Sequence, residues 1–257
     1  MKVAVAQLDL NDKRSKEEVV AYALGMMDKC KGADLIVLPE LWNIGFANYD
    51  RYYAESEPIN GYTASAIGAK AKELGAYVHG GSFVEARDGK YYNTSVLFDR
   101  AGKLIGTYSK VHLFTYQSRE PELLTPGTDI GVIDTEFGKV GLSTCYDLRF
   151  PEFYRLLADK GVDFIIVPAC WPYPRQEAWE VLNQARALEN TCFLISCNAA
   201  GSQSGVMYMG HSKIVDPWGT VVAGTSFREA IVTAELDPGL VGRVRAAFPV
   251  LKDRVLR

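Results

Sequence analysis

Three residues of different chemistry stand just past the ends of apolar runs. Glu40 follows LIVLP (35–39), Lys110 follows LIGTYS (104–109) and Cys145 follows VGLST (140–144). In layered sheets, strand ends are where sites gather. A cysteine between a buried strand and a helix start has a nucleophile's setting, because free backbone N–H groups and the positive helix end would favour its thiolate and any oxyanion beside it. Such a thiol needs a partner that takes its proton and later delivers it to the leaving group. A carboxylate does both when burial raises its pKa, which points to Glu40. Lys110, together with the backbone N–H of Tyr146, could hold the negative charge of a tetrahedral intermediate. Each residue alone also has a plainer reading. A free cysteine is usually a small buried hydrophobe, Glu40 could cap a helix or pair on the surface, and Lys110 could be a solvated strand-end lysine.

The elements that would position these groups follow from periodicity. Val3 to Leu8 alternates and stops at Asn11 and Asp12, reading as a strand, and Lys16 to Lys29 carries Val19, Val20, Ala23, Leu24 and Met27 at helical spacing. LIVLP reads as a strand buried on both faces, and residues 64–74 as a second amphipathic helix. Segments 77–85, 91–99 and 103–108, with turns at Asp88-Gly89 and Arg100-Ala101-Gly102, predict an antiparallel meander. Alternation then resumes: strand 139–144, helix 151–160 opened by Pro151, strand 164–168, helix 177–190 and strand 192–198. Strands 212–215 and 220–223 straddle the turn Asp216-Pro217-Trp218-Gly219, and 231–236 closes the series. Gly201 to Gly205 lacks the spacing of a phosphate cradle and reads as a loop. Interleaved strands, helices and hairpins predict an α/β or α+β layered sandwich whose sheets are not purely parallel. With no linker and no internal repeat, residues 1–257 read as one domain.

Composition narrows the function. At 257 residues and 48% hydrophobic, the chain can bury a sizeable core. Lys+Arg 28 against Asp+Glu 31 gives a net charge of −3, which argues against a broad basic surface for nucleic acid or anionic lipid and favours a small-molecule partner. The opening MKVAVAQLDLND fits a first strand better than a secretory signal, and no apolar run approaches the roughly 20 residues that span a bilayer. Cys30, Cys145, Cys170, Cys192 and Cys197 are odd in number and lack a CxxC pair, so reduced thiols, a cytoplasmic location and no metal site are expected. Cys192 and Cys197 lie at an odd offset, on opposite strand faces, which suggests packing. A papain-like Cys–His arrangement would need His79, His112 or His211, none of which has a recognisable partner motif; His112 is expected to pack near Lys110. A non-catalytic interaction protein would be marked by loss of one of the three strand-end residues, and all three are present.

LPELW at 38–42, YSKVHLF at 108–114 and STCYDLRFPE at 143–152 resemble, in this order, the three motif blocks of the nitrilase-related carbon–nitrogen hydrolases. WPYPRQEAWEVLNQARALEN at 171–190 is similar to the bacterial members classed as omega-amidases, and the resemblance covers essentially the whole chain. It implies a four-layer αββα sandwich with mixed sheets, a homodimer or larger homo-oligomer paired across helices near the nucleophile, and neither metal nor organic cofactor. The implied triad carries over as Glu40, general base and acid, Lys110, oxyanion stabiliser, and Cys145, nucleophile of a thioester acyl-enzyme. A second glutamate in the loop after the lysine positions substrate in this family; here that loop reads REPELLTPG, and length matching favours Glu120 over Glu122.

For the substrate, Arg149 in DLRF offers the side chain best built to grip a carboxylate bidentately. Arg175 is a second candidate, or else a partner of Glu177. Tyr116 and Trp171 could wall the pocket, and Asn198, ending the strand after Cys192, is expected to touch the substrate. The resemblance implies short dicarboxylic monoamides such as 2-oxoglutaramate or succinamate, hydrolysed to the diacid and ammonia. The same triad also serves N-carbamoyl amines, aliphatic amides and nitriles, and fold-level likeness does not choose among them.

Overall fold

The computed structural model describes residues 1–255. In chain order its strands are β1 (Lys2–Gln7), β2 (Asp9–Asn11), β3 (Leu35–Val37), β4 (Tyr77–Arg87), β5 (Lys90–Phe98), β6 (Leu104–Ser109), β7 (Gly131–Thr135) and β8 (Gly138–Leu142), then β9 (Phe164–Ala169), β10 (Phe193–Asn198), β11 (Ala200–Gln203), β12 (Val206–Met209), β13 (Lys213–Val215), β14 (Val221–Gly224) and β15 (Ala230–Glu235). The helices are α1 (Lys16–Asp28), α2 (Tyr62–Leu74), α3 (Glu120–Leu123), α4 (Pro151–Asp159), α5 (Gln176–Asn190) and α6 (Gly239–Ala247).

Two six-stranded sheets have the orders β15-β1-β3-β4-β5-β6 and β14-β13-β10-β9-β8-β7. Each centres on three parallel strands, β1-β3-β4 and β8-β9-β10, with antiparallel strands at the flanks. Parallel neighbours need crossovers, which α1 and α2 supply in the first sheet and α4 and α5 in the second. Strand alternation sorts the side chains. Val3, Val5, Leu35 and Val37 point to the core between the sheets, where they join the cluster of Val140, Leu142 and Ile166. Ala4, Ala6 and Ile36 point the other way, onto Val20, Ala23 and Met27 of α1 and Ile67 and Ala71 of α2. On the far side of the second sheet, Phe153 and Leu157 of α4 and Trp179 and Ala187 of α5 complete the packing. The result is the αββα sandwich, with mixed sheets, that the sequence resemblance implies.

Local signals set the crossovers. Ser15 and Glu18 form a reciprocal capping box at the start of α1, and α2 ends on Gly75 in the left-handed region, φ 61°. Gly81 has a role at the site. With φ +65°, it lies where an added Cβ would sit 1.8 Å from the Pro39 carbonyl oxygen, so only glycine lets β4 pass against the strand end that carries Glu40.

One expectation is corrected. Gly201 to Gly205 is not an open loop: β11 and β12 pair antiparallel through a turn at Ser204 and Gly205, both at positive φ (48° and 77°), and β2 adds to β11 in parallel. No helix among the described residues is long and apolar enough to cross a membrane.

Candidate active site

Glu40, Lys110 and Cys145 come together between the sheets. β3 runs on through Leu38 and Pro39 and delivers Glu40, fully buried, past the end of the parallel strands. Lys110 is held by its own backbone, its N–H donating to the Asn93 carbonyl (2.8 Å) and its carbonyl accepting from Gly127 (2.9 Å). Its Nζ then lies 2.8 Å from Glu40 Oε1 and 3.0 Å from each oxygen of Glu120. Burial alone would lower the Lys110 pKa, but the Glu120 and Glu40 carboxylates outweigh it and hold the ammonium well above its usual range. Burial also pushes Glu120 up, against the pull of Lys110 and with the help of the Glu40 charge.

Cys145 follows β8 with φ 48°, a strained conformation for a residue with a side chain, and opens a 3₁₀ turn through Arg149. Asp147 holds that turn. Its buried carboxylate accepts from the Thr144 N–H (2.8 Å), the Tyr108 hydroxyl (2.7 Å) and the His112 N–H (3.0 Å). Among the described residues no hydrogen bond engages the Tyr146 N–H, which leaves a donor beside the sulfur. The Glu40 carboxylate is close enough to the thiol to raise its pKa, and the Cys170 N–H, which lowers it, donates to Glu40 Oε2 (2.9 Å).

The expected helix-favoured thiolate does not appear. The α4 helix begins only at Pro151, beyond the 3₁₀ turn. Burial, reinforced by the Glu40 carboxylate, pushes the Cys145 thiol well above its ordinary pKa. The resting sulfur therefore carries its proton, and a carboxylate stands ready to take it as the sulfur attacks. Thiol, carboxylate and ammonium in this contact can add sulfur to a carbonyl carbon and stabilise the resulting oxyanion.

Above the sulfur opens a pocket of about 480 Å³ lined by Cys145, Tyr146, Arg149, Trp171, Tyr116 and Arg175, among others. Trp171 is buried and forms a wall, whereas Tyr116 is 60% exposed at the rim. The Arg149 guanidinium sits 5.0 Å over the Trp171 ring, and that of Arg175 lies 5.3 Å from the Phe114 ring and 5.7 Å from the Tyr116 ring. Asn198 does not reach the pocket. Its Oδ1 accepts from the Trp171 N–H (2.6 Å) and its Nδ2 donates to the Trp171 and Gly210 carbonyls (3.1 and 2.8 Å), so it clamps the backbone of the wall instead of touching the cavity. Glu122 is likewise outside, its side chain 69% exposed beside Arg119.

None of the histidines enters the cluster. His79 is buried and neutral, its pKa lowered to about 3 by burial. His112 stacks on Phe150 at 3.8 Å with Nδ1 2.8 Å from Asp147, and His211 pairs with Glu180. The other cysteines are free and buried.

Three contributors had no assignment from sequence. Asn93 donates from Nδ2 to Glu40 Oε1 (2.8 Å) and Glu120 Oε1 (3.1 Å), Cys170 supplies its N–H, and Phe114 donates its N–H to Glu120 Oε2 (2.7 Å). A signal exists for two of them. Asn93 is an amide inside the strand YYNTSVLF, where a polar side chain must find partners, and Cys170 directly follows the apolar β9 much as Cys145 follows β8. Phe114 acts through its backbone, which its residue type does not announce.

A four-layer sandwich with a buried thiol, carboxylate and ammonium at the floor of a pocket defines a thiol-dependent hydrolase of the nitrilase kind. Comparisons with known proteins agree. Residues 2–246 match the carbon–nitrogen hydrolase family. The chain is 36% identical over 260 residues to the 2-oxoglutaramate amidase of Paenarthrobacter nicotinovorans, covering 98% of this chain and 88% of that protein. It is 32% identical over 264 residues to omega-amidase NIT2 of Homo sapiens, covering 98% and 94%. The crystal structure of Saccharomyces cerevisiae Nit3, a member of branch 10 of the nitrilase superfamily, superposes with a TM-score of 0.91 at 32% identity, over 100% of this chain and 97% of that one. The chain belongs to the carbon–nitrogen hydrolase family, and it is an amidase.

Proposed function

We propose that the protein is an omega-amidase that hydrolyses a short dicarboxylic monoamide, such as 2-oxoglutaramate or succinamate, to the diacid and ammonia. Cys145 attacks the amide carbonyl while Glu40 accepts the thiol proton. Lys110 and the Tyr146 N–H stabilise the oxyanion, and Glu120 fixes the ammonium and positions the substrate. As the C–N bond breaks, Glu40 delivers its proton to nitrogen and ammonia leaves a thioester on Cys145. Glu40 then takes a proton from water, the resulting oxygen nucleophile displaces the sulfur, and the free acid and thiol are restored.

The observation that carries the substrate choice is the pair Arg149 and Arg175 at the pocket mouth. Both lie over aromatic rings, and among the described residues neither guanidinium has a carboxylate partner within the chain. A substrate with an amide at one end and a carboxylate at the other fits a thiol at the floor and guanidinium at the mouth. The names of the curated relatives favour the same amide class. A homodimer and a cytoplasmic location belong to this reading; Leu156, Val181 and Leu188, exposed on α4 and α5, favour pairing through those helices.

The test is ammonia release from succinamate and 2-oxoglutaramate alongside a simple aliphatic amide, an N-carbamoyl amine and a nitrile. The acid amides should give the highest kcat/KM. No turnover of succinamate beside ready turnover of another class would overturn the substrate assignment while leaving the thiol chemistry standing.

A further inference from the structure

Beneath the nucleophile, two nitrogens bridge the same two oxygens. Glu40 Oε1 accepts from Lys110 Nζ and Asn93 Nδ2, both at 2.8 Å, and Glu120 Oε1 accepts from the same two atoms at 3.0 and 3.1 Å. The orientation of the Asn93 amide is forced, because a flipped amide would turn its carbonyl oxygen onto two carboxylate oxygens. Its Oδ1 instead faces away, buried and without a partner.

This closed arrangement requires both Oε1 atoms to act as acceptors, so neither can carry a proton without losing a donor. Glu120 Oε2 is occupied too, by the Phe114 N–H at 2.7 Å and by Lys110 at 3.0 Å. The remaining carboxylate oxygen is Glu40 Oε2, whose one hydrogen-bond donor among the described residues is the Cys170 N–H at 2.9 Å, so it is the oxygen of the pair left with room to take a proton.

We propose that Asn93 is a positioning residue: its two amide protons tie off the inner oxygens of Glu40 and Glu120 and so direct the proton leaving Cys145 to Glu40 Oε2, the oxygen from which it must later reach the departing nitrogen. This rests on the reading of Glu40 as the base. Lys110 alone cannot do it, because an ammonium can swing toward either carboxylate, whereas the planar amide fixes both oxygens at once. The charges of the pair also act on Cys145, Cys170 and the phenols Tyr49, Tyr52 and Tyr208, whose pKa values burial raises; the phenol hydroxyls are hydrogen-bonded to Ser118, Phe46 and Ala47 instead, so they stay neutral and do not compete for the proton.

The experiment is Asn93→Asp, the nearest isostere, followed by the pH dependence of kcat/KM on the best amide substrate, with folding checked by near-ultraviolet circular dichroism. An added carboxylate against two others raises the pKa values of the cluster. The acid limb should therefore move up by about one pH unit, and kcat should fall roughly tenfold or more, with KM within about twofold because Asn93 does not line the pocket. Asn93→Ser, which keeps one donor, should give a smaller shift in the same direction. A folded Asn93→Asp enzyme whose pH limbs coincide with those of the wild type would overturn the proposal, as would an unchanged kcat. If Asn93→Asp does not fold, the serine variant decides by the same readout, and failure of both to fold would leave Asn93 a packing residue and overturn the proposal. Loss of the underlying reading looks different: Glu40→Gln would then retain wild-type turnover whatever happens at Asn93.

Discussion

The floor and the mouth of the pocket are built on opposite plans. At the floor, Glu40, Lys110 and Glu120 are wholly buried and Asn93 nearly so, and the carboxylate oxygens and the ammonium all have partners within the chain. At the mouth, Arg149 and Arg175 rest on aromatic faces without a carboxylate, and the turn of the β11–β12 hairpin forms part of the rim. Burying three ionised groups is tolerated only when every lone pair and proton is matched, so the floor has one geometry and one chemistry. Guanidinium groups left open to solvent are available to a ligand. On the proposed reading the first region fixes the reaction and the second the selectivity, so substitutions in the two should separate kcat from KM.

The largest expected effect is at the nucleophile. Cys145→Ala removes the bond-forming atom and should reduce turnover by roughly a millionfold, as loss of a nucleophile does in other acyl-transfer enzymes, with the fold retained because only one sulfur is lost. Ammonia release by a folded variant at wild-type rates would separate the thiol from the reaction. Lys110→Ala comes next. Loss of an oxyanion donor should raise the barrier by about 3–4 kcal/mol, or 10²–10³-fold in kcat. Because Glu40 and Glu120 then remain buried without their cation, stability should also fall by roughly 3–5 kcal/mol, read from the denaturation midpoint. A rate loss without the stability loss would show that the floor is less tightly coupled than its distances imply.

At the mouth the effect should be smaller and of another kind. Arg149→Ala or Arg175→Ala removes a hydrogen bond to a charged group, about 1.5–3 kcal/mol, and should raise KM for succinamate about 10- to 100-fold while leaving a simple aliphatic amide nearly unaffected. Equal losses on both substrates would mean that the arginine shapes the pocket instead of reading a carboxylate. The two single variants also show which guanidinium meets the substrate.

The same division explains what the sequence discloses. Glu40, Lys110 and Cys145 stand out because each interrupts an apolar strand pattern at its end, and β3, β9 and β10 are apolar runs that periodicity can find. The β11–β12 hairpin escapes that test. The first strand and the turn carry Gly201, Ser202, Ser204 and Gly205, and β11 forms because it pairs with β12 and with the three-residue β2, nearly 200 positions earlier, a contact with no local signature. Asn198 shows a different limit. Its position near the site is readable, but the direction of its side chain, into the Trp171 backbone, depends on β10 lying beside β9. The protonation of Cys145 also depends on tertiary structure, since the thiol is raised by burial and by a carboxylate 105 positions away in the chain.

The smallest effect is expected where two glutamates two positions apart differ only in the face of a short helix. Glu120 is wholly buried against Lys110, while the Glu122 side chain is 69% exposed and 3.6 Å from the half-exposed Arg119. An exposed pair of this kind contributes about 0–1 kcal/mol, so Glu122→Gln should leave kcat, KM and the denaturation midpoint within experimental error of the wild type. Glu120→Gln keeps the shape but removes a charge that holds the ammonium, and a hydrogen bond to a charged group of about 1.5–3 kcal/mol should be lost from the transition state. A rate loss for Glu122→Gln comparable to that for Glu120→Gln would place the functional carboxylate on the solvent side of α3 and break the distinction between floor and mouth at its closest point.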